Sequence, residues 1–510
     1  MRRGSPATEP QVAERKRPGR RTTNRRLVFA AVLLAMFMAA VEVTIVGTAM
    51  PRIVADLGGF ALLGWVFSAY LLTQAVTMPL WGKLADLYGR KPAFVVGTGL
   101  FLVGSLLCGM ATSMPALIAF RALQGLGAGA VQPIATTIVG DLYTLEERAK
   151  VQGYLSGVWG VSAIIGPALG ALFVEVLHWS WVFWVNVPIG LLAIAGVALF
   201  LHEDVAKKSP ALDWPGAALL LVSIAALMLA LIQGGVAWTW ISLPSLSLLA
   251  VFFLGVVAFL LWERRAADPI MPLAVWRHRV IALSNAASLT TGALLIAVSS
   301  YLPTYVQGVL ERSALVAGFT LTAMSVGWPL AATLSGKAMV RFGFRPVAVV
   351  GGVFLLVGAA FFVTLIPQHG PVWAALGSFF TGVGMGFATT TFVVAVQSSV
   401  DWHMRGVATA ANLFMRVLGG TLGAALLGSV LNTRLRVHLE AAGLAGADPL
   451  RDVDRLLDPV QRLHLAPEAV ARLQEGLAAS LKAVYWGTAA LAVVSFAVIL
   501  LLPRKGRENA

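Results

Sequence analysis

Charge is the scarcest commodity in this sequence. Asp, Glu, Lys and Arg make up 12% of 510 residues, about half the roughly 25% of an average soluble chain. Three or four soluble domains, the ordinary expectation at this length, could not be coated with so few charges. The lone cysteine, Cys108, excludes a disulfide framework and any multi-cysteine metal site. The seven histidines (178, 202, 278, 369, 403, 438 and 464) fall in loops or at the ends of apolar runs, with no pair at metal-ligand spacing. A Walker-type phosphate loop is missing, so ATP-driven pumping has no support. No HExxH or GxSxG motif is present, and no catalytic cluster of any other kind stands out. The expectation is a protein that is not an enzyme and holds neither metal nor cofactor.

What is present is apolar sequence. Hydrophobic residues reach 58% and the mean hydropathy is +0.81. The 51 glycines and 24 prolines lie mostly inside apolar stretches, as membrane helices tolerate. Fourteen runs of 19 or more residues are long enough to span a bilayer. They cover 28–50, 62–80, 93–111, 114–139, 151–174, 182–201, 215–233, 244–262, 280–300, 315–335, 347–366, 372–394, 407–431 and 483–502. The first run contains Glu42, is too long for a signal-peptide core and lacks a clear cleavage site. It reads as an uncleaved span. The fold class is therefore an all-α polytopic membrane protein.

The net charge of +14 raises the question of nucleic acid. Its distribution answers it. Residues 1–26 carry +7 and residues 504–510 carry +2. Basic tails beside membrane helices are topology signals and lipid contacts. With the N-terminus in the cytoplasm, 27 of 38 basic residues fall on that side. The short loops thus obey the positive-inside rule. An even span count returns Arg504, Lys505 and Arg507 to the same face. The expected localisation is the cell (plasma or inner) membrane, multi-pass, with both termini cytoplasmic.

An internal repeat organises the spans. GKLADLYGRKP begins at Gly82, and GKAMVRFGFRP begins 254 residues later at Gly336. Gly125, Gly127 and Gly129 recur as Gly382, Gly384 and Gly386, and Arg148 recurs as Arg405. Spans 1–6 therefore repeat as spans 9–14 in the same orientation, which is a transporter architecture. The expected division is a disordered basic tail (1–26), a six-helix bundle (27–201), two inserted helices with linkers (202–279), a second six-helix bundle (280–503) and a short tail (504–510). The inserted helices read as lipid-facing filler. The external loop at 432–482 reads as an amphipathic helical hairpin, with Asp448 and Pro449 starting one helix and Pro467 the other. Val453, Leu456, Leu457, Val460 and Leu463 line the first, and Val470, Leu473, Leu477 and Leu481 the second. Covering the outer face, or docking a partner protein, are both open roles for it.

The loop Gly82-Lys83-Leu84-Ala85-Asp86-Leu87-Tyr88-Gly89-Arg90-Lys91 carries chemistry. Its glycines allow a tight turn and close helix approach. Asp86 suits a helix N-terminus, where exposed N–H groups favour an anion. Arg90 can bridge to a carboxylate on a neighbouring helix end, and Asp141 is the obvious partner. Such contacts would form a cytoplasmic gate from Gly82, Asp86, Gly89, Arg90 and Asp141. Alternatively, Lys83, Arg90 and Lys91 are topology signals only.

This loop resembles that of the major facilitator superfamily, and further motifs resemble its fourteen-span drug:proton antiporter branch. Val41-Glu42-Val43-Thr44-Ile45-Val46 with Ala49-Met50-Pro51 is similar to the first-span motif, with Glu42 in place of the usual Asp and Gly47 in place of Asn. Arg121-Ala122-Leu123-Gln124-Gly125 is similar to the fourth-span motif. Gly157 through Gly160, then Gly166-Pro167-Ala168-Leu169-Gly170, are similar to the fifth-span antiporter motif, with Ala171 where a second Gly is common. Trp179-Ser180-Trp181 and Asn186-Val187-Pro188-Ile189-Gly190 also fit, with Ser180 where Arg is usual. The resemblance spans residues 28 to about 430 and the last span. It implies a bacterial host and two six-helix bundles plus two inserted helices. The activity it implies is multidrug efflux of the quinolone and quaternary-ammonium exporter type, conferring antibiotic resistance. It also implies that the fifth helix, through Gly160, Gly166, Pro167 and Gly170, packs on the other half and restricts leakage.

Three charges lie deep in the spans: Glu42, Arg121 and Arg416. Such charges are expensive and functional by default. At about 1.5 Å per residue, Glu42 and Arg121 both sit roughly 10–12 Å below the outer boundary. A Glu balanced between burial and a nearby Arg can take up and release a proton. Proton coupling by Glu42, tuned by Arg121 and Gln124, is the expectation. Glu42 binding a cationic group, or a static buried pair, are the alternatives. Glu175 and Glu311 are second-rank proton candidates. Arg416 can hold the halves together or neutralise an anionic lipid. Tyr70, Gln74, Gln132, Trp159, Tyr305, Gln307 and Trp328 are candidates to line a cavity for lipophilic or cationic compounds. The expected protein is a monomeric, proton-driven, alternating-access antiporter whose partners are such compounds, protons and membrane lipids. Export of an endogenous lipid, siderophore or antibiotic is the rival; a symporter or membrane enzyme ranks lower.

Overall fold

The computed structural model describes residues 23–58, 63–203, 213–234, 238–266, 269, 276–312, 314–441 and 466–503. In the first half, α1 is Arg25–Leu57, α2 Leu63–Tyr88, α3 Arg90–Gly109, α4 Met114–Leu142 and α5 Leu145–Val176. A short α6 (Trp181–Trp184) runs through Val185 into α7 (Asn186–Phe200). The inserted pair is α8 (Trp214–Gln233) and α9 (Leu243–Glu263). The second half is α10 (Arg279–Gly308), α11 (Ala314–Phe342), α12 (Phe344–Val363), α13 (Gly370–Ser398), α14 (Arg405–Ala441) and α15 (Pro467–Leu500). No strand occurs among the described residues. A membrane interior offers no water to backbone N–H and C=O groups, so helices that satisfy their own are the solution.

Among the described residues, twelve stretches are long and apolar enough to cross a membrane. The expected count was fourteen, and the two missing are α2 and α5. Their apolar runs at 62–80 and 151–174 include residues outside the described set. At 26 and 32 residues they measure about 39 and 48 Å, ample for a span. Connectivity carries them across: only Gly89 separates α2 from α3, and only two residues separate α4 from α5. Both helices border the other half of the molecule, which is where polar side chains find partners.

Local chemistry sets the helix ends. Gly89 adopts φ 98° and its repeat counterpart Gly343 adopts φ 83°. This left-handed turn is open to glycine at little cost. It lets one residue reverse the chain between α2 and α3, and again between α11 and α12. Ser113, Asp213 and Ser242 cap α4, α8 and α9 through their side-chain oxygens, each followed by a proline in the first turn. Thr144 and Glu147 form a capping box on α5.

The halves meet along two seams. α2 packs against α14, and α5 packs against α11. In each seam the second span of one half meets the fifth of the other, as an approximate two-fold relation demands. The inserted hairpin covers the first seam. Leu220, Leu221, Ile224 and Met228 of α8 pack with Ala75, Val76 and Met78 of α2 and Phe414 of α14. Phe259 of α9 joins Val407 and Ala411. The hairpin is therefore more than lipid-facing filler: Phe253 and Leu254 point outward, at 63% and 72% exposed, while α8 seals the seam.

In the segment at 432–482, the helix expected at Pro467 is present and the preceding span runs on further than expected. α14 continues through Ala441, and α15 starts at Pro467 and runs unbroken into the last span. Leu435 and Leu439 bury against Leu473, Leu477 and Leu481. That apolar zipper joins the end of α14 to the helix expected from Pro467, with Val470, Leu473, Leu477 and Leu481 on its packed face. The proposed first helix, from Asp448 to Leu463, lies outside the described residues, as do the tails 1–22 and 504–510.

Candidate functional site

Two polar constellations stand out. One is a closed cluster inside the first half. The other is a latch between the halves, at the face where Arg25 and Leu500 end the chain's described helices. These helix ends define the terminal face; the far face lies opposite.

The cluster draws on α1, α2, α3, α4, α6 and α7. Arg121 Nη1 donates to Glu42 Oε1 and, at 2.6 Å, to Gln124 Oε1. Arg121 Nε donates to the Val66 carbonyl at 3.1 Å. Its guanidinium lies 4.1 Å from the Tyr70 ring centroid, a cation–π contact. Asn186 Nδ2 donates to Glu42 Oε2 at 2.5 Å and to Ser105 Oγ at 3.0 Å. Gln124 Nε2 donates to Ser105 Oγ at 3.1 Å, and Ser105 donates to the Phe183 carbonyl at 2.8 Å. Glu42 is 0% exposed and Arg121 1%.

A buried pair with both carboxylate oxygens engaged holds its two charges only because each has several partners. Adding a proton to Glu42 removes the charge that holds Arg121, leaving Gln124, Val66 and Tyr70 to keep it. Two donor or acceptor groups beside the pair have no hydrogen-bond partner: the Tyr70 hydroxyl and Asn186 Oδ1. The cluster is sealed from water, which can reach it only if the surrounding helices move. Asn186 and Ser105 were not singled out as site residues. The break between α6 and α7 at Val185 aims Asn186 inward; in the sequence, only the Asn186-Val187-Pro188-Ile189-Gly190 motif marked the residue, without its partner.

The latch is built on charges at helix ends. Asp86 accepts from the backbone N–H of Gly406 at 2.8 Å and of Val407 at 2.7 Å. These are first-turn donors of α14, where exposed N–H groups and the helix dipole favour an anion. Gly82 makes the approach possible: a Cβ there would stand 2.6 Å from Ala410 Cβ and 2.8 Å from the Gly406 carbonyl oxygen. Arg90, fully buried, meets Asp86 at 2.9 Å and Asp141 at 2.8 Å. Its Nη2 donates to the Trp402 carbonyl at 2.6 Å, and its guanidinium lies 3.8 Å from the Trp402 ring centroid. Asp141 also pairs with Arg405 at 2.5 Å. Gln397 of α13 donates to the Thr136 carbonyl of α4 at 3.1 Å. Arg405, Trp402 and Gln397 complete the latch and were not expected in it. Only the recurrence of Arg148 as Arg405 pointed toward one of them.

Beside the latch, Glu203 accepts from the Lys91 backbone N–H at 3.0 Å. Burial pushes its carboxyl above the ordinary range, against the pull of that hydrogen bond.

The second seam is made of small residues. Gly153 faces Thr333 and Pro329, Gly157 faces Pro329, and Gly160 faces Ser325, whose Cβ would be 3.1 Å from an added Cβ. Gly166 faces Thr44 of α1, within its own half. Thr44 donates to the Ser162 carbonyl there at 3.2 Å. Gly170 is buried in α5, and the side chain of Pro167 lies outside the described set.

The proposed cavity residues have different surroundings. Tyr70 is enclosed under Arg121. Tyr305 is buried in the second half, its hydroxyl 3.5 Å from the Leu365 carbonyl and its ring against Tyr485. Trp328 packs with Leu294, Leu355 and Met385, its indole N–H unpartnered. Gln74, Gln132 and Gln307 are half-buried and Trp159 is 37% exposed. Glu311 accepts from Gln474 at 2.5 Å at the far end, and Glu175 is exposed in the last turn of α5. Arg416 stands half-buried near the middle of α14.

These features agree with known proteins. The sequence matches the family model "Major Facilitator Superfamily" over residues 32–424. It is 34% identical to Multidrug resistance protein 3 of Bacillus subtilis, over 94% of this chain and 96% of the relative. Multidrug transporter protein MdtP of the same organism is 35% identical, over 81% and 76%. Among solved structures, the human organic anion transporter MFSD10 superposes with TM-score 0.63 at 14% identity, over 93% of this chain and 99% of that one. The proton:xylose symporter XylE superposes with TM-score 0.60 at 14% identity, over 94% and 96%. A repeated bundle, a latch at a helix N-terminus and multidrug-transporter relatives of nearly equal length converge: the chain belongs to the major facilitator superfamily, and within it to the transporters of drug-efflux type.

Proposed function

We propose that this transporter exports lipophilic small molecules by alternating access, driven by the proton gradient, with Glu42 as the proton carrier. The observation that carries the reading is the sealed Glu42–Arg121–Gln124–Asn186 cluster. A carboxylate enclosed in one half, within reach of a switchable Arg, can convert protonation into helix movement. The named activity of the Bacillus subtilis relatives supports drug efflux. The positive-inside bias supports a cell-membrane protein with cytoplasmic termini. The latched face is then cytoplasmic, and the conformer described here presents its interior to the outside. In this cycle, substrate leaves outward, Glu42 takes a proton, the latch of Asp86, Arg90, Asp141 and Arg405 opens, and the interior turns inward. The proton gradient is the sole energy source, and no cofactor takes part.

Proteoliposomes with an imposed pH gradient test this. Adding a transported lipophilic compound should dissipate the gradient with the sign of antiport. Glu42→Gln should abolish the coupled proton movement while leaving substrate binding intact. Unchanged substrate-driven proton flux in Glu42→Gln would overturn the assignment. Proton and substrate moving in the same direction would replace export with uptake.

A further inference from the structure

Of the three charges deep in the spans, two neutralise each other. Arg416 does not. Among the described residues, no hydrogen bond or ion pair engages its guanidinium, and no charged group there compensates its burial. It lies 11 residues into α14, about 16 Å from the terminal end and near the middle of a hydrocarbon core of about 30 Å. A lone cation at that depth is costly to keep, and an Arg cannot shed its proton to escape the cost.

The packing of α14 shows where this side chain stands. Asn412, Gly419 and Gly423 face α10: Asn412 Nδ2 donates to Asn285 and Ser288, both at 2.9 Å, and the two glycines abut Leu289 and Ala293. Gly406, Ala410 and Phe414 face α2. The arc between these two contacts looks toward α4 and α13. Thr409 lies on it and meets Gln397, which bonds Thr136. Arg416 is two turns beyond Thr409 on that arc, toward the far face. It therefore stands above the closed latch, in the space between the halves, and it remains partly exposed there. Gly292 receives the Arg416 carbonyl at close range, which holds this stretch of backbone firmly against α10.

Among the described residues, no acid faces that space. Glu42 is the one acid deep in a span, and Arg121 and Asn186 occupy both its oxygens. The interior thus presents a net positive charge in low dielectric. A guanidinium so placed suits a carboxylate, which it can hold by two parallel hydrogen bonds. A permanently cationic compound would be repelled.

We propose that Arg416 is the docking point for the anionic head of the transported compound, so that the preferred cargo is an amphiphile bearing a carboxylate or similar anion. This narrows the lipophilic-or-cationic class to anionic and zwitterionic members. It rests on the reading of the chain as an exporter of amphiphilic small molecules.

The test is binding to the full-length protein in nanodiscs of zwitterionic lipid, with a dansylated undecanoic acid and its methyl ester as probes. The wild type should bind the acid at least tenfold more tightly than the ester. Arg416→Gln should erase that preference by weakening the acid alone, and Arg416→Lys should restore part of it. Equal binding of acid and ester by the wild type overturns the proposal, and this arm needs no variant that folds. So does an Arg416→Gln variant that weakens both probes alike, the mark of a structural role. Displacement of the acid from the wild type by phosphatidylglycerol added to the nanodiscs would assign the site to a lipid headgroup and also overturn it. Binding requires no gradient. Acid-selective binding without proton-coupled transport would therefore sink the export reading and leave the anion site standing.

Discussion

The two seams between the halves are related by the repeat and yet are built differently. The α2–α14 seam is charged at its end, with Asp86 on the start of α14 and Arg90 joining Asp141 and Trp402. It is also roofed by the inserted hairpin. The α5–α11 seam has Gly153, Gly157 and Gly160 set against Pro329, Thr333 and Ser325. Val326 and Leu330 beside it are 51% and 55% exposed. The sequence shows how the symmetry was broken: Val340 occupies the repeat position of Asp86, and Phe344 that of Arg90. Charged hydrogen bonds have discrete made and broken states, whereas smooth glycine contacts permit sliding without a large change in energy. In the proposed cycle, one seam serves as a switch and the other as a bearing.

The switch should break most dramatically. Each charge-assisted hydrogen bond is worth about 1.5–3 kcal/mol. Asp86→Ala, which removes two of them and one partner of Arg90, should cut transport by tenfold or more and raise labelling of a cysteine placed at the terminal face. Undiminished transport with unchanged labelling would show that the latch does not set the conformer.

The bearing should be sensitive to bulk and not to charge. Gly153→Leu and Gly160→Leu insert side chains where contact already occurs. Overpacking of this kind costs about 1–3 kcal/mol. A several-fold loss of transport with wild-type binding is expected, because the helices still assemble but slide poorly. If Gly160→Asp proved milder than Gly160→Leu, the contrast between the seams would hold; the reverse order would undo it.

The roof contributes less. Trimming Leu220, Ile224 and Met228 to Ala together should lower the melting temperature by several degrees and leave acid-over-ester selectivity alone. A change in selectivity would mean that the hairpin reaches the cargo.

The smallest effect concerns Glu203, beside the latch. Its folded-state titration lies above the ordinary carboxylate value because of burial. The folded protein therefore holds this proton more tightly than the unfolded chain does. The associated stability is full below the usual carboxylate range and is lost as pH rises through the raised value. Glu203→Gln should flatten the dependence of thermal stability on pH in that window. An identical profile in the variant would count against it.

Much of this was legible in sequence because it is local. Run length marked the rods, and the spacing of Gly82, Asp86, Gly89 and Arg90 marked a turn with a charged end. The left-handed backbone at both Gly89 and Gly343 explains why the repeat keeps glycine there. Other features were illegible because they depend on distant partners. Nothing near residue 186 says that its amide meets Glu42, 144 positions away. Arg405, Trp402 and Gln397 join the latch only when the second half closes on the first. Tyr70 and Tyr305, plausible as cavity walls by residue type, were taken by the interiors of their own halves.

By itself, the sequence determined a membrane protein of repeated six-helix halves, with two added helices between them. Hydropathy and repetition are properties of the chain, and a bilayer turns each apolar run into a helix without reference to the rest. Only the tertiary structure decided which charges cancel and which remain. Of the three charges deep in the spans, Glu42 and Arg121 pair because α1 and α4 bring them together at equal depth. Arg416 is left facing the interior because its helix lies between α10 and α2. The value of a charge in a membrane is set by its nearest partner in space, and that distance is not written in any local stretch of sequence.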